Sequence, residues 1–379
     1  MAQHPLRARL TTPTGRTRER APLEFTLANE SARHLLFLRW HTPLEGMASN
    51  MFLVRDAEGY EVPYRGVLAK RGRPRRSEYV ALRAGDSVSA VVDLADGYDL
   101  NGGGAYTVEF RDPRTSQLVT EGDPLAKSAG DLETIHIPSN TATLDVPPSD
   151  ASPPRGDDTG PAHPAARAVA AAKTISFDNC DASSEAIVTE MDATAATNAR
   201  IAHGYLANMA PEDQPLDAIY QTWFGAHTAS RFSTVVSNLD QIVTTFEDSD
   251  IAYDCAGPDC QPSWIAYVFP GGDLEVFLCS GFWSAGTTGF DTQWGTLVHE
   301  VSHEVASTDD NAYGQTACKQ LAVDDPDAAV DNADSYQLFV EEVVMAVAEG
   351  CGAILDAFNL AGTTSRALAK RTQRRLMRR

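Results

Sequence analysis

No cysteine occurs in the first 179 residues of this chain of 379, yet six follow. Also missing is any run of about 18 apolar residues, the length a membrane-spanning helix needs. The opening "MAQHPLRARL" lacks the apolar core of a signal peptide, so the expectation for an exported protein is that its signal has already been removed. Lysine is scarce, with five against 26 arginines. Between Lys173 and Leu360 basic residues of either kind almost vanish: four face thirty Asp and Glu, a balance of −26. A field of that sign repels nucleic acid, attracts cationic ligands and keeps an exported protein soluble. Partners expected from these absences are neither nucleic acid nor membrane.

What is present points to a folded protein. The hydrophobic share of 43% with 22% charged residues is globular, and the length exceeds one ordinary domain. Cys180, Cys255, Cys260, Cys279, Cys318 and Cys351 form an even set with no C-x-x-C pair, which predicts three disulfides in a secreted, extracellular domain rather than a zinc ribbon.

The chain divides by composition. Residues 1–146 read as short alternating strands, such as "LEFTLANE" and "AYTVEF", broken by turns like "NGGG", and predict an antiparallel sandwich of immunoglobulin type. Its basic loop "KRGRPRR", Lys70 to Arg76, reads as a solvated hairpin tip or a binding patch. Residues 147–172 form a linker rich in Pro, Gly and Ala, of accessible and extended composition. In 173–360 the hydrophobic period becomes helical, with serines placed to cap "SSEAIVTEM" and "SRFSTVVSN", around one hairpin, "SWIAYVFPGGDLEVFLCSGFW". The fold class expected is therefore multidomain, all-β followed by α+β. The tail 361–379 holds seven basic residues and no acid, and reads as dispensable.

The chemistry concentrates in "VHEVSHEVASTDDNAYG", Val298 to Gly314. His299 and His303 stand four apart on a predicted helix, so both imidazoles leave one face and can hold one metal ion. Between them Glu300 occupies the general-base position of an H-E-x-x-H zinc peptidase. A catalytic zinc wants a third protein ligand. The metzincin extension fails, because Ala306 and Asp309 stand where Gly and His are required. Asp309, Asp310 and, in a gluzincin arrangement on a later helix, Glu341 or Glu342 remain open on the residues alone. A non-catalytic binding protein that works through its N-terminal sandwich is the competing class.

The segment "STDDNAYG" resembles the G-T-x-D-x-x-Y-G motif that follows H-E-x-x-H in the aspzincins, the deuterolysin and peptidyl-Lys metalloendopeptidase family, with Ser307 in place of the first glycine. "YQTWFG", "FLCSGFW" and "NADSYQLF" extend the resemblance over the second half, and the first half resembles the N-terminal region of bacterial secreted precursors in its strand pattern. The resemblance implies a zincin-type domain with one Zn²⁺ on His299, His303 and Asp310, Glu300 as base and Tyr313 as oxyanion donor. It implies an endopeptidase acting on proteins or peptides before lysine, with Asp334 in the pocket, although Gln337 replaces a second acid found in the strictest members. Asp334 alternatively reads as the N-cap of the following helix. Family spacing implies the disulfides Cys180–Cys255 and Cys260–Cys279, leaving Cys318–Cys351 as the remaining pair. Residues 1–146 are expected to be a propeptide that blocks the cleft, with the linker laid along the hairpin edge, until the enzyme cuts Ala172–Lys173.

Overall fold

The computed structural model describes residues 5–13, 20–111, 117–119, 123–124, 133–149 and 173–360. The linker beyond residue 149, with Ala172, and the basic tail lie outside the described residues.

Among the described residues, eleven strands precede residue 147: β1 (Leu6–Thr11), β2 (Pro22–Asn29), β3 (Leu35–Leu38), β4 (Phe52–Arg55), β5 (Leu68–Arg71), β6 (Tyr79–Leu82), β7 (Ser87–Asp93), β8 (Gly104–Phe110), β9 (Gln117–Val119), β10 (Glu133–Thr134) and β11 (Ala142–Val146). Alternation drives them, since along β1 and β2 every second residue, Leu6, Ala8 and Leu10 or Leu23, Phe25 and Leu27, is buried. The described strands form three sheets, β1-β2-β7, β10-β9-β3-β6 and β11-β8-β4, where an immunoglobulin sandwich has two. All three contribute to one apolar core around Phe25, Phe37, Phe52 and Val108.

After residue 173 come β12 (Ile175–Asp178), α1 (Ala182–Ala207), α2 (Ala218–Phe224), α3 (Ala229–Asp248), β13 (Ile251–Asp254), β14 (Trp264–Val268), β15 (Glu275–Leu278), α4 (Ser280–Ser284), α5 (Gln293–Ala306), α6 (Gly314–Asp324), α7 (Pro326–Val330) and α8 (Ala333–Leu360). The caps of α1 and α3 are Asp181 and Thr228, each two residues before the serine expected, and each side chain accepts an amide of the first turn. The β14–β15 hairpin forms as expected. Helix α5 is buried along nearly its whole length between α1, α3, α8 and the sheet, so its two histidines open into the protein and not to solvent.

One strand crosses the boundary between the two halves. β5 pairs antiparallel with β14 and completes a five-stranded sheet, β12-β13-β15-β14-β5. Without it β14 would be a bare edge, with unpaired N–H and C=O groups along one side. The reading of Lys70 and Arg71 as a solvated hairpin tip is overturned: both are buried, Lys70 at 1% exposure, while Arg73, Arg75 and Arg76 of the same loop are exposed. The segment on the hairpin edge is thus β5 and not the linker.

Two of the three expected disulfides are present. Cys180–Cys255 joins the ends of the parallel pair β12 and β13, and Cys260–Cys279 ties the loop before β14 to the end of β15. The Cys318–Cys351 pairing is corrected, because Cys318 is a free, buried thiol. Its Sγ reaches the Ala312 carbonyl at 3.5 Å and takes the Asn332 amide at 3.5 Å, so it packs as a small core residue under α6.

Candidate active site

Three donors converge where α5 meets the turn that follows it. His299 Nε2 and His303 Nε2 lie 3.2 Å apart, and Asp310 Oδ1 faces them at 3.2 and 3.6 Å. Ser307 makes this return possible, since it ends α5 in the left-handed region (φ 51°), the conformation for which glycine is favoured. All three ligand atoms are buried and lie within 4.8 Å of one another, and among the described residues this is the one such group that could hold a metal ion. Asp310 Oδ1 has no hydrogen-bond donor. Two nitrogen lone pairs and a carboxylate oxygen crowded together in a dry site repel unless a cation stands between them, and the N,N,O set suits a catalytic zinc.

The outer nitrogens are also held. His303 Nδ1 lies 2.8 Å from the Thr308 carbonyl, and His299 Nδ1 lies 2.8 Å from Asp334 Oδ1. The Thr308 carbonyl can only accept a hydrogen bond, so His303 carries its proton on Nδ1, and the Asp334 carboxylate favours the same tautomer at His299; both leave Nε2 unprotonated toward the centre. Burial alone would raise the Asp310 carboxyl, yet His303 and His299 hold it well below the usual carboxylate range.

Glu300 sits beside this centre with both oxygens buried and no partner at hydrogen-bond length. Burial pushes its pKa up to about 8, against the opposing pull of the nearby His303. A carboxyl in so dry a place is poised to exchange a proton near neutral pH.

The gluzincin alternative does not survive. Glu341 accepts the backbone amides of Asp291 (3.0 Å) and Thr292 (2.9 Å), and Glu342 accepts the Trp223 indole N–H at 2.6 Å, so neither joins the histidines. Nor is Asp309 in the cluster, its Oδ2 accepting from Asn50 at 2.8 Å.

β5 threads this site. The Ala69 amide donates to Asp310 Oδ2 at 3.1 Å, the Tyr313 hydroxyl donates to the Ala69 carbonyl at 2.7 Å, and the Lys70 ammonium lies 2.6 Å from Asp334 Oδ1. Asp334 does not cap α8. Its Oδ2 accepts the Gly314 amide at 2.6 Å, and Oδ1 faces both Lys70 and His299. Burial would raise its pKa, but Lys70 and His299 keep it well below the carboxylate range. Next along β5, the Arg71 guanidinium is held by Glu45 at 2.6 and 2.9 Å and by the Ala48 carbonyl at 2.8 Å, between the rings of Trp40 and Trp264. Lys70 and Arg71 escaped the sequence reading. The available signal was a lone lysine behind the apolar "GVLA", in a chain poor in lysine.

With this geometry in view, the comparisons decide the kinship. A family model described as lysine-specific metallo-endopeptidase, of the aspzincins, matches residues 210–341. An extracellular protease of Aeromonas hydrophila is 33% identical over 341 residues, which cover 89% of this chain and 92% of its own. The chain belongs to the aspzincin family. It is accordingly a zinc metalloendopeptidase, and its substrates are proteins or peptides. Other aspzincins similar to it are a peptidyl-Lys metalloendopeptidase of Armillaria mellea, 32% identical over 70% of this chain and 69% of its own, and a zinc peptidase of Grifola frondosa of solved structure, 37% identical over 43% of this chain and 96% of its own, with a TM-score of 0.39. Among the described residues of this aspzincin, no helix is long and apolar enough to cross a membrane.

Proposed function

We propose that this protein cuts peptide bonds on the amino side of lysine, and that it is made as an exported zymogen whose own Lys70 fills the lysine pocket. The observation that carries both readings is the seat of the Ala69–Lys70 peptide. The Ala69 carbonyl meets Tyr313, the Ala69 amide meets the candidate metal ligand Asp310 and the Lys70 ammonium meets Asp334, so this peptide lies across the groups that would act on a substrate bond.

His299, His303 and Asp310 would hold one zinc ion, which when bound supplies the Lewis acidity that makes water a nucleophile near neutral pH and polarises the carbonyl. Glu300 takes the proton of the attacking water and passes it to the departing lysine nitrogen. Tyr313, whose hydroxyl burial keeps protonated, donates to the oxygen that becomes an oxyanion, an interaction worth about 3–4 kcal/mol where single donors have been removed. Asp334 fixes the lysine ammonium, and through His299 it couples the pocket to the metal ligands.

Packing adds to the hold that Lys70 gives this strand. Leu68 packs in the core of the helical half, Ala69 packs with Trp264, Tyr267 and Phe277, and the Glu45 clamp on Arg71 anchors the far side. Since Lys70 fills the chain's own pocket, cutting of Ala172–Lys173 falls to another, already activated copy. Lys173 is itself engaged, its ammonium bound to Asp192 at 2.5 Å and to the Phe246 carbonyl at 2.8 Å. The experiment is a time course of length and N-terminal sequence for wild type and Glu300→Gln. Wild type should shorten to a chain beginning at Lys173, and the inactive variant should stay long until a trace of active enzyme is added. Equal trimming of the inactive variant alone would refute self-processing.

A further inference from the structure

We propose that Asp291 is a specificity-determining residue of this pocket, the carboxylate at its mouth that an incoming lysine meets before Asp334. The inference rests on the reading of the Asp334 pocket as the lysine site. Lys70, the lysine already seated there, has two carboxylates within 4.0 Å of its ammonium: Asp334 Oδ1 at 2.6 Å and Asp291 Oδ1 at 4.0 Å. They differ in setting. Asp334 is buried and its charge is divided among Lys70, His299 and the Gly314 amide. Asp291 is 51% exposed, so its field reaches solvent where a substrate approaches.

The backbone at Asp291 is built to hold that position. The residue adopts φ 56°, a left-handed conformation that a non-glycine residue keeps only where its surroundings impose it. What imposes it is Glu341, buried in α8, which accepts the amides of Asp291 and Thr292 and the Thr292 hydroxyl. Glu341 in turn reaches the start of α5 only because residue 295 is glycine, where a Cβ would stand 2.1 Å from its Oε1. Gln337 adds its side-chain amide to the same carboxylate at 3.2 Å. Three side chains, Glu341, Thr292 and Gln337, thus fix one turn, and the product of that turn is a carboxylate at the lysine.

The recognition is of charge at the end of a four-carbon stem. Asp291→Asn keeps the shape and tolerates the backbone angle, and Asp291→Gly suits it better still, so the two variants remove the charge by different routes. The test compares kcat/KM of zinc-loaded full-length chains carrying Lys70→Ala, with and without each change, on three peptides that differ only in the residue after the scissile bond: lysine, arginine or uncharged norleucine. Both variants should lose about fivefold on the lysine peptide, lose most of its salt dependence, and leave the norleucine peptide and the zinc content unchanged. An unaltered ratio of lysine to norleucine in a folded variant overturns the role of Asp291 while the lysine reading stands. If the parent Lys70→Ala chain itself shows no preference for lysine over norleucine, the lysine reading fails and this inference falls with it.

Discussion

The Lys70 ammonium and the Asp334 carboxylate, 264 residues apart in sequence, meet at 2.6 Å with each side chain 1% exposed. A buried ion pair of this kind costs about as much to desolvate as its attraction returns, so its value lies in specificity more than in stability. Its two members come from opposite halves of the chain. The stability of that contact and the accessibility of the site are therefore linked.

Replacing Lys70 by Ala should raise the hydrolysis of lysine-containing peptides by the full-length, zinc-loaded protein at least tenfold. The same change leaves Asp334 without its cation, and removal of one partner of a buried pair costs about 3–5 kcal/mol. Melting of the first half should shift downward as a result. Initial rates on a fluorogenic peptide and a calorimetric scan check both, and unchanged rates would show that Lys70 does not block the pocket.

Glu300→Gln should abolish turnover while zinc stays bound at one ion per chain, because Glu300 is not one of the three side chains whose ligand atoms converge. His303→Ala should lose the ion. Metal content by plasma mass spectrometry, beside activity, separates the two, and a Glu300→Gln protein devoid of zinc would contradict the assignment.

Cys318 should react with a thiol reagent once the protein is denatured without reduction, whereas Cys180, Cys255, Cys260 and Cys279 should not. Peptide mapping reads this directly. An unlabelled Cys318 would restore the third disulfide.

How much of this was legible in the sequence follows the range of the interactions. His299, Glu300 and His303 announce themselves because a metal pair on a helix is a local, four-residue pattern. Asp310 and Tyr313 follow within fourteen residues, and a motif could name them. Lys70 was invisible in its role, since the pairing of β5 with β14 joins segments nearly two hundred residues apart and depends on which sheet edge is bare. Its basic neighbours, which do lie at the surface, made a solvated tip the natural reading. Asp291 had no signal beyond its place before a helix, because its conformation is imposed by Glu341 from α8. The third disulfide failed for a simpler reason: two cysteines left over need not pair when one of them fills a core position.

Recognition of lysine after the scissile bond is what the proposed function of this aspzincin turns on. The most direct measurement is a mass-spectrometric map of the new N-termini it leaves in a denatured protein mixture, with activated wild type set beside Asp334→Asn. New N-termini left by the wild type should begin overwhelmingly with lysine, and the zinc-loaded variant should lose this bias along with most of its rate. Wild-type termini without lysine enrichment would contradict the proposed function.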